Sequence, residues 1–223
     1  MNGKQWQLAF LVVVIVLFLA LVLNWFGPNE QSQENVTTTD VRAYLPPLQG
    51  ITYFFVDEGM EYAAFSRRIT HVAPGFIQLE DLSGTNLAQV LETSPQELRI
   101  TWSEEEFYEN DSLLDAPSRA GREGGRSTDL VLLKAPLTKG NTWSDERFSR
   151  EIVSVDETVT VPLGVFYDVV VVKNKSATSN DFVQYEYYAK NIGLIKRESL
   201  FVQNGQTVAV VSSLKSITGP FPQ

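Results

Sequence analysis

Residues 8–23 read LAFLVVVIVLFLALVL and contain no charged or polar side chain. With Trp25 and Phe26 just beyond Asn24, the apolar stretch reaches about 19 residues, which at about 1.5 Å rise per residue approaches the ~30 Å hydrocarbon core of a bilayer. A helix buried in a soluble core would normally carry a polar face, which this stretch lacks. The sequence therefore predicts a transmembrane helix over residues 8–26.

The charges that flank this span predict its orientation. Lys4 and the amino terminus precede it, whereas three acidic residues come before the next basic residue, Arg42. Since Lys and Arg are retained on the cytoplasmic side, we expect the tail 1–7 inside and the rest of the chain outside, in a single pass through the cell membrane. The alternative is a cleaved secretory signal, but the span is longer than most signal cores and no small-residue cleavage site follows it.

The part of the chain beyond the span is acidic and lacks cysteine. It holds 17 basic and 27 acidic residues, a net charge of −10. Such a surface disfavours nucleic acid as a partner. An extracytoplasmic domain without any Cys has no disulfides, thiol nucleophile or zinc–thiolate site, which is more typical of a bacterial envelope than of a eukaryotic secretory pathway.

Strand signals dominate after a polar linker at residues 27–44, and we assign residues 45–223 to one extracytoplasmic β domain. Aromatic and β-branched residues alternate with Gly-containing turns, and no segment beyond the span has helical periodicity. We expect a mainly β fold, an antiparallel curled sheet that forms a half-barrel, barrel or sandwich. The predicted strands cover residues 51–57, 61–72, 75–81, 87–93, 97–103, 130–134, 150–161, 164–173, 182–190, 193–203 and 206–217.

An internal repeat suggests that the domain has two similar halves. PLQGITY at 47–53 matches PLTKGNTW at 136–143 with one residue inserted, and FSRRITHV at 65–72 matches FSREIVSV at 148–155 without a gap. Chance similarity between β segments is the alternative. If the halves are equivalent, they pack around one core and a ligand lies between them.

Few residues offer catalytic chemistry. The chain has one histidine, His71, and contains no nucleophile elbow, phosphate loop or dinucleotide fingerprint. The densest acidic run, Glu104–Glu106, lacks calcium-loop spacing and is interpreted as a solvated turn. The segment 111–129, rich in Gly and Arg, is interpreted as a mobile exposed loop, with a cationic contact patch as the alternative. We expect no enzyme activity, cofactor or metal.

The segment YYAKNIGLIKRE at 187–198 carries a family resemblance. With PPL at 46–48, KAPL at 134–137 and VPLG at 161–164, it resembles an uncharacterised family of exported Gram-positive (Firmicutes-type) envelope domains. The resemblance covers about residues 45–217, and Asn191 stands where that family commonly has Gly. It implies a curved β sheet, distantly similar to lipoprotein-carrier half-barrels, and no catalytic residue.

These observations predict a membrane-anchored binding domain that holds an apolar or envelope-derived ligand, with a lipophilic molecule or an envelope protein as its partner. A structural or protein-interaction module of the cell envelope is the alternative, and an envelope hydrolase using the acidic run is a weaker one. The candidate ligand-binding residues are Trp102, Trp143, Phe166, Tyr188, Lys190 and Lys196. Core packing is the competing interpretation of the aromatic side chains.

Overall fold

Alternating inward and outward side chains build a twelve-stranded antiparallel sheet in the part of the chain that the computed structural model describes, residues 40–57, 63–145, 147–203 and 205–220. The strands are β1 Thr52–Asp57, β2 Phe65–Ala73, β3 Phe76–Leu82, β4 Leu87–Thr93, β5 Glu97–Glu105, β6 Gly125–Lys134, β7 Thr142–Ser144, β8 Phe148–Val161, β9 Gly164–Ser176, β10 Phe182–Ala189, β11 Gly193–Gln203 and β12 Gln206–Thr218. A 3₁₀ helix, Val41–Tyr44, precedes them, and a short helix α1, Ala116–Arg119, lies between β5 and β6.

The strand order is two meanders laid side by side. It reads β6-β5-β4-β3-β2-β1-β12-β11-β10-β9-β8-β7, so that β1 and β12 join the halves in the middle of the sheet. The sheet curls into a nearly closed barrel, which confirms the expectation of a mainly β, antiparallel, curled sheet. In the described ranges no helix has the length and apolar content needed to cross a bilayer. The predicted span, residues 8–26, lies outside these ranges.

Side chains rather than a strand ladder bridge the seam between the two outermost strands, β6 and β7. The indole Nε1–H of Trp143 donates to the Val131 carbonyl at 2.7 Å. The Asn141 amide donates to the carbonyls of Lys134 at 3.0 Å and Pro136 at 2.9 Å. The barrel is therefore closed at this seam by few bonds, each from a residue near β7.

Trp143→Phe is expected to lower the free energy of unfolding by about 1–3 kcal/mol, because it leaves the buried Val131 carbonyl without its donor. Trp102→Phe is the matched control, since the buried Trp102 Nε1 has no hydrogen-bond partner in the described part of the chain. Urea denaturation of both variants measures the difference. Equal losses from the two substitutions would contradict a role for the indole bond in closing the seam.

One end of the barrel is covered by apolar side chains. The 3₁₀ helix lies across this end, since Val41 N–H donates to Pro95 in the β4–β5 turn at 3.1 Å and Asn191 N–H in the β10–β11 turn donates to Ala43 at 2.6 Å. Val41 and Tyr44 are buried in the main core. The 3₁₀ helix, which falls within the predicted linker, therefore packs on the β domain.

A second, smaller core lies outside the barrel wall. The segment between β5 and β6 packs over the outer face of the sheet, where Leu113 and Phe107 contact Ala88 and Val90. Leu113 is fully buried, and its N–H donates to the Gln78 side chain at 2.7 Å. The expectation of an exposed loop at 111–129 is corrected in part, because Leu113 is buried and residues 125–129 belong to β6, whereas most of the other side chains are exposed.

The segments of the proposed repeat make equivalent backbone contacts. Gly50 N–H donates to the Ile69 carbonyl at 2.7 Å, and Gly140 N–H donates to the Ile152 carbonyl at 2.8 Å. The two glycines have almost the same left-handed backbone, with φ of 87° and 88°. β1 and β2 of the first half therefore correspond to β7 and β8 of the second half.

Candidate ligand-binding site

The end of the barrel opposite the 3₁₀ helix holds a cavity of about 590 Å³, here called the mouth cavity. Residues at the ends of the odd-numbered strands and in the described parts of the turns after them line it, since every odd-numbered strand of the two meanders runs toward this end; they include Ala63, Ala64, Ser83, Glu105 and Arg147. Its wall is mixed, with twelve polar or charged residues and six apolar ones. Among the residues that line it are Thr85, Gln89, Ser103, Gln184, Ser199 and Ser212.

The two-residue period of the strands explains why polar groups reach the interior. On β10, Gln184, Glu186 and Tyr188 face inward, whereas Tyr185 and Tyr187, which alternate with them, face outward. On β11, Arg197 lines the cavities, and its neighbour Lys196 lies beside the Tyr187 ring on the outer face. These strands therefore carry a charged inner face in addition to a charged outer one.

A smaller cavity of about 230 Å³, here called the inner cavity, lies next to the mouth cavity. Asp81, Gln184 and Arg197 line both, so the two spaces adjoin at these side chains. Arg67 lines the inner cavity and makes two bonds to Asp81, Nε to Oδ1 and Nη2 to Oδ2, each 2.7 Å long. Burial disfavours its charge, but Asp81 more than offsets this and raises the pKa of Arg67.

Glu186 is the centre of a buried polar network. Its carboxylate accepts hydrogen bonds from the Tyr188 hydroxyl at 3.0 Å and the Asn174 amide at 3.2 Å, and the Arg197 Nε lies 3.4 Å away. Burial alone would raise the pKa of Glu186, but the charges of Arg197 and Arg150 and these two bonds lower it below its usual value. Glu186 is therefore a charged acceptor that holds Tyr188 in place.

Glu186→Gln is expected to lower the free energy of unfolding at neutral pH by about 1–3 kcal/mol, because Arg197 and Arg150 lose a buried counter-charge. Since the folded-state pKa of Glu186 lies below its ordinary value of 4.5, the carboxylate stabilises the fold above pH 4.5 and this contribution disappears as the pH falls through the folded-state pKa. The variant should therefore show a shallower loss of stability below pH 4.5.

Urea denaturation across this pH range measures the effect. Glu198→Gln is the matched control, since it makes the same change on the outer face of β11 and is expected to cost less than about 1 kcal/mol. An unchanged pH profile in the Glu186 variant would contradict the assignment.

The structure places three of the six predicted site residues in packed positions away from the mouth cavity. Trp102 packs with the outer core and lies under the Arg119 guanidinium, 5.8 Å from its ring centre. Trp143 is buried at the seam. Phe166 packs against the main core from β9. Their aromatic rings fill the fold, which agrees with the competing interpretation of these side chains as core.

The other three predicted residues lie on the β10–β11 hairpin but do not share a surface. Tyr188 lines the inner cavity and donates to Glu186. Lys190 is exposed in the turn that follows β10. Lys196 lies on the outer face, 3.9 Å from Glu198 and 5.2 Å from the centre of the Tyr187 ring. Of the six, Tyr188 lines a described cavity. Lys196 lies on the outer face of the sheet because side chains alternate along β11.

In the part of the chain that the structure describes, arginines bind the acidic run. The Arg122 guanidinium binds Glu104 at 2.8 Å and Glu109 at 2.7 Å, and Arg126 lies 3.3 Å from Glu105. Across the described ranges, no three His, Cys, Asp or Glu side chains are grouped as metal ligands. These ion pairs thus attach the β5–β6 segment to the sheet.

Sequence reasoning missed the buried charges, although the repeat contained a signal for them. Arg67 in FSRR and Arg150 in FSRE occupy the same repeat position and face inward opposite Tyr53 and Trp143. Arg150 is almost fully buried and lies 3.1 Å from Asp145. An arginine that both copies of the repeat keep at the same strand position was the signal for a buried ion pair in each half.

Comparison with known proteins gives two distant structural similarities. No family model and no curated protein matches the chain. A Bacteroides fragilis protein described as exported, with a YmcC-like fold, is 17% identical with a TM-score of 0.47, covering 78% of this chain and 97% of its own. A Parabacteroides distasonis protein described as a lipoprotein is 15% identical with a TM-score of 0.44, covering 78% and 98%. The resemblance to a Gram-positive family stays an expectation, because no family model supports it.

Proposed function

We propose that this chain is a membrane-anchored, extracytoplasmic binding domain that holds a small polar ligand from the cell envelope in its barrel. The observation that carries the proposal is the mouth cavity of about 590 Å³, which lies within the range of small-molecule sites. The apolar span at residues 8–26 and the charges around it support the location.

The wall of the cavity favours a polar ligand over the apolar one expected from the aromatic content. Phe65 is the one aromatic side chain among the described residues that line the mouth cavity, and twelve of these eighteen residues are polar or charged. An apolar molecule there would strip water from these groups without offering hydrogen bonds in return. The aromatic residues instead serve the two cores.

We propose a binding role without catalysis. Asp81 and Glu186 are the two carboxylates among the residues that line the inner cavity. Arg67 binds Asp81, and Glu186 is held by Arg197, the Asn174 amide and the Tyr188 hydroxyl. A general acid needs a raised pKa, whereas the pKa of Glu186 is lowered. The weaker hydrolase alternative also lacks support from the acidic run, because Arg122 bridges Glu104 and Glu109.

Native mass spectrometry of the full chain in nanodiscs tests the proposal. The wild-type protein is expected to carry a co-purified small molecule, and Thr85→Trp is expected to lose it because the added indole narrows the mouth cavity. Thr207→Trp is the control, as this exposed β12 residue is not among those that line the cavity. An apo mass for all three proteins, or retention of the ligand by Thr85→Trp, would count against the barrel as its site.

One observation favours the alternative function, a protein-interaction module. In the described part of the chain β6 pairs with β5 alone, while β7 is only three residues long. A second cavity of about 580 Å³ runs along the open edge of β6, from Arg126 to Leu130, opposite Arg147. An extended peptide could add a strand there. A photo-crosslinker at Thr128 should then capture an envelope protein in cells, which ligand binding in the barrel would not produce.

A further inference from the structure

We infer that the ligand of the mouth cavity carries a carboxylate or phosphate group, which Arg197 binds together with Arg126 and Arg147 at the rim. This inference rests on the proposed function and adds the charge of the ligand to it. All three arginines line the mouth cavity.

The charge of the cavity is opposite in sign to the charge of the domain. Three guanidiniums line it, against two carboxylates, those of Asp81 and Glu105. Asp81 is already bound by Arg67, through two bonds of 2.7 Å. On an exterior with a net charge of −10, a site of this kind is a local exception, and its field favours an anion.

Arg197 is positioned to bind an anion at the bottom of the mouth cavity. It lines both cavities, and its guanidinium carbon lies 5.5 Å from the centre of the Phe65 ring. On the inner side its buried Nε faces Glu186 at 3.4 Å, and no hydrogen bond from its Nη1 or Nη2 is found among the described residues. The side chain is therefore held in place while retaining N–H groups for an oxyanion.

The rim arginines are only loosely engaged. The contact between Arg126 and Glu105 is 3.3 Å long, and both side chains are more than half exposed, so their attraction is weak and screened by salt. Arg147 is exposed at the start of β8 and also borders the open edge of β6. An anionic group entering the mouth would meet these two guanidiniums first and Arg197 below them.

The rest of the wall indicates which neutral groups accompany the charge. Hydroxyls of Ser83, Thr85 and Ser199 and the amide of Gln89 can pair with hydroxyl or amide groups of a ligand. Glucuronate and glucose 6-phosphate carry both features and are suitable probes, whereas glucose carries the hydroxyls alone. The two anionic probes distinguish a carboxylate from a phosphate as the group that the site binds.

Isothermal titration calorimetry on the full chain in nanodiscs of zwitterionic lipid tests the inference. At least one anionic probe is expected to bind about tenfold or more tightly than glucose, because guanidiniums form charge-assisted hydrogen bonds with an oxyanion that glucose does not offer. Binding should weaken as salt rises. Arg197→Gln and Arg147→Gln should each reduce affinity, and Arg68→Gln, an exposed β2 residue outside the mouth-cavity lining, should not.

Arg147→Gln keeps the test independent of folding, because Arg147 is exposed and its loss uncovers no buried charge. Equal binding of glucose and both anionic probes, binding of none of them, or unchanged affinity in both arginine variants would overturn the inference. A neutral molecule found by native mass spectrometry would overturn it while leaving the proposed function intact.

Discussion

Asp81→Asn should lower the free energy of unfolding by about 3 kcal/mol, the lower end of the range for breaking a buried ion pair by removing one partner. The side chains of Arg67 and Asp81 are only 11% and 17% exposed, and the carboxylate accepts two 2.7 Å bonds from the guanidinium. An amide would present one N–H toward a guanidinium N–H. Glu186 also lines the inner cavity with Arg67 and supplies a second negative charge, which moderates the loss.

Asp129→Asn is the matched control for this prediction. Asp129 also binds an arginine across neighbouring strands, Arg99 on β5, but its side chain is 73% exposed. Exposed ion pairs contribute about 0–1 kcal/mol, so this variant should unfold at nearly the wild-type urea concentration. A loss from Asp81→Asn as small as that of the control would show that solvent reaches the Arg67 pair.

Most of the strands could be predicted because each is indicated by a local pattern of alternating side chains and by the glycine turns that bound it. β4 and β11 begin and end where the sequence indicates, at Leu87–Thr93 and Gly193–Gln203. β7 was not predicted as a strand, because three residues are too few to show a period of two. The early start of β6 at Gly125 was also missed, since Gly and Arg there suggested a loop.

The alignment of the repeat needed the structure. The sequence alone paired Pro47 with Pro136 and required an inserted residue. In the fold, Leu48 N–H donates to Pro46 and Thr138 N–H donates to Pro136, both at 2.9 Å. The two turns therefore superpose without an insertion, starting from Pro46. Backbone geometry reveals this because the side chains in the turns differ.

The candidate site was hidden for a different reason. Arg67, Asp81 and Arg197 lie on three strands, and only the sheet order brings β2 and β3 near β11 across the barrel. A charged residue within a strand is ordinarily assigned to the solvent face, as Lys196 and Glu198 are. Which of two alternating charged faces turns inward depends on the whole sheet, and no local pattern on β11 decides it.

Replacing Ile69 or Ile152 with Ala should lower the free energy of unfolding by a similar amount, about 2–5 kcal/mol each. Both side chains have 0% exposure in the main core, and both residues are anchored by the same backbone bonds. Ile69 N–H donates to the Ile51 carbonyl at 3.0 Å, and Ile152 N–H donates to the Asn141 carbonyl at 2.9 Å. Equivalent positions in two packed halves should leave comparable cavities.

Val165→Ala is the control for the pair, because this β9 side chain is 49% exposed and its truncation should change stability by less than about 0.5 kcal/mol. Urea denaturation of the three variants gives the comparison. If one isoleucine variant were near the control while the other lost several kcal/mol, the halves would share a backbone but not a core. Similar losses would instead mean that the two meanders contribute equally to the core at these equivalent positions.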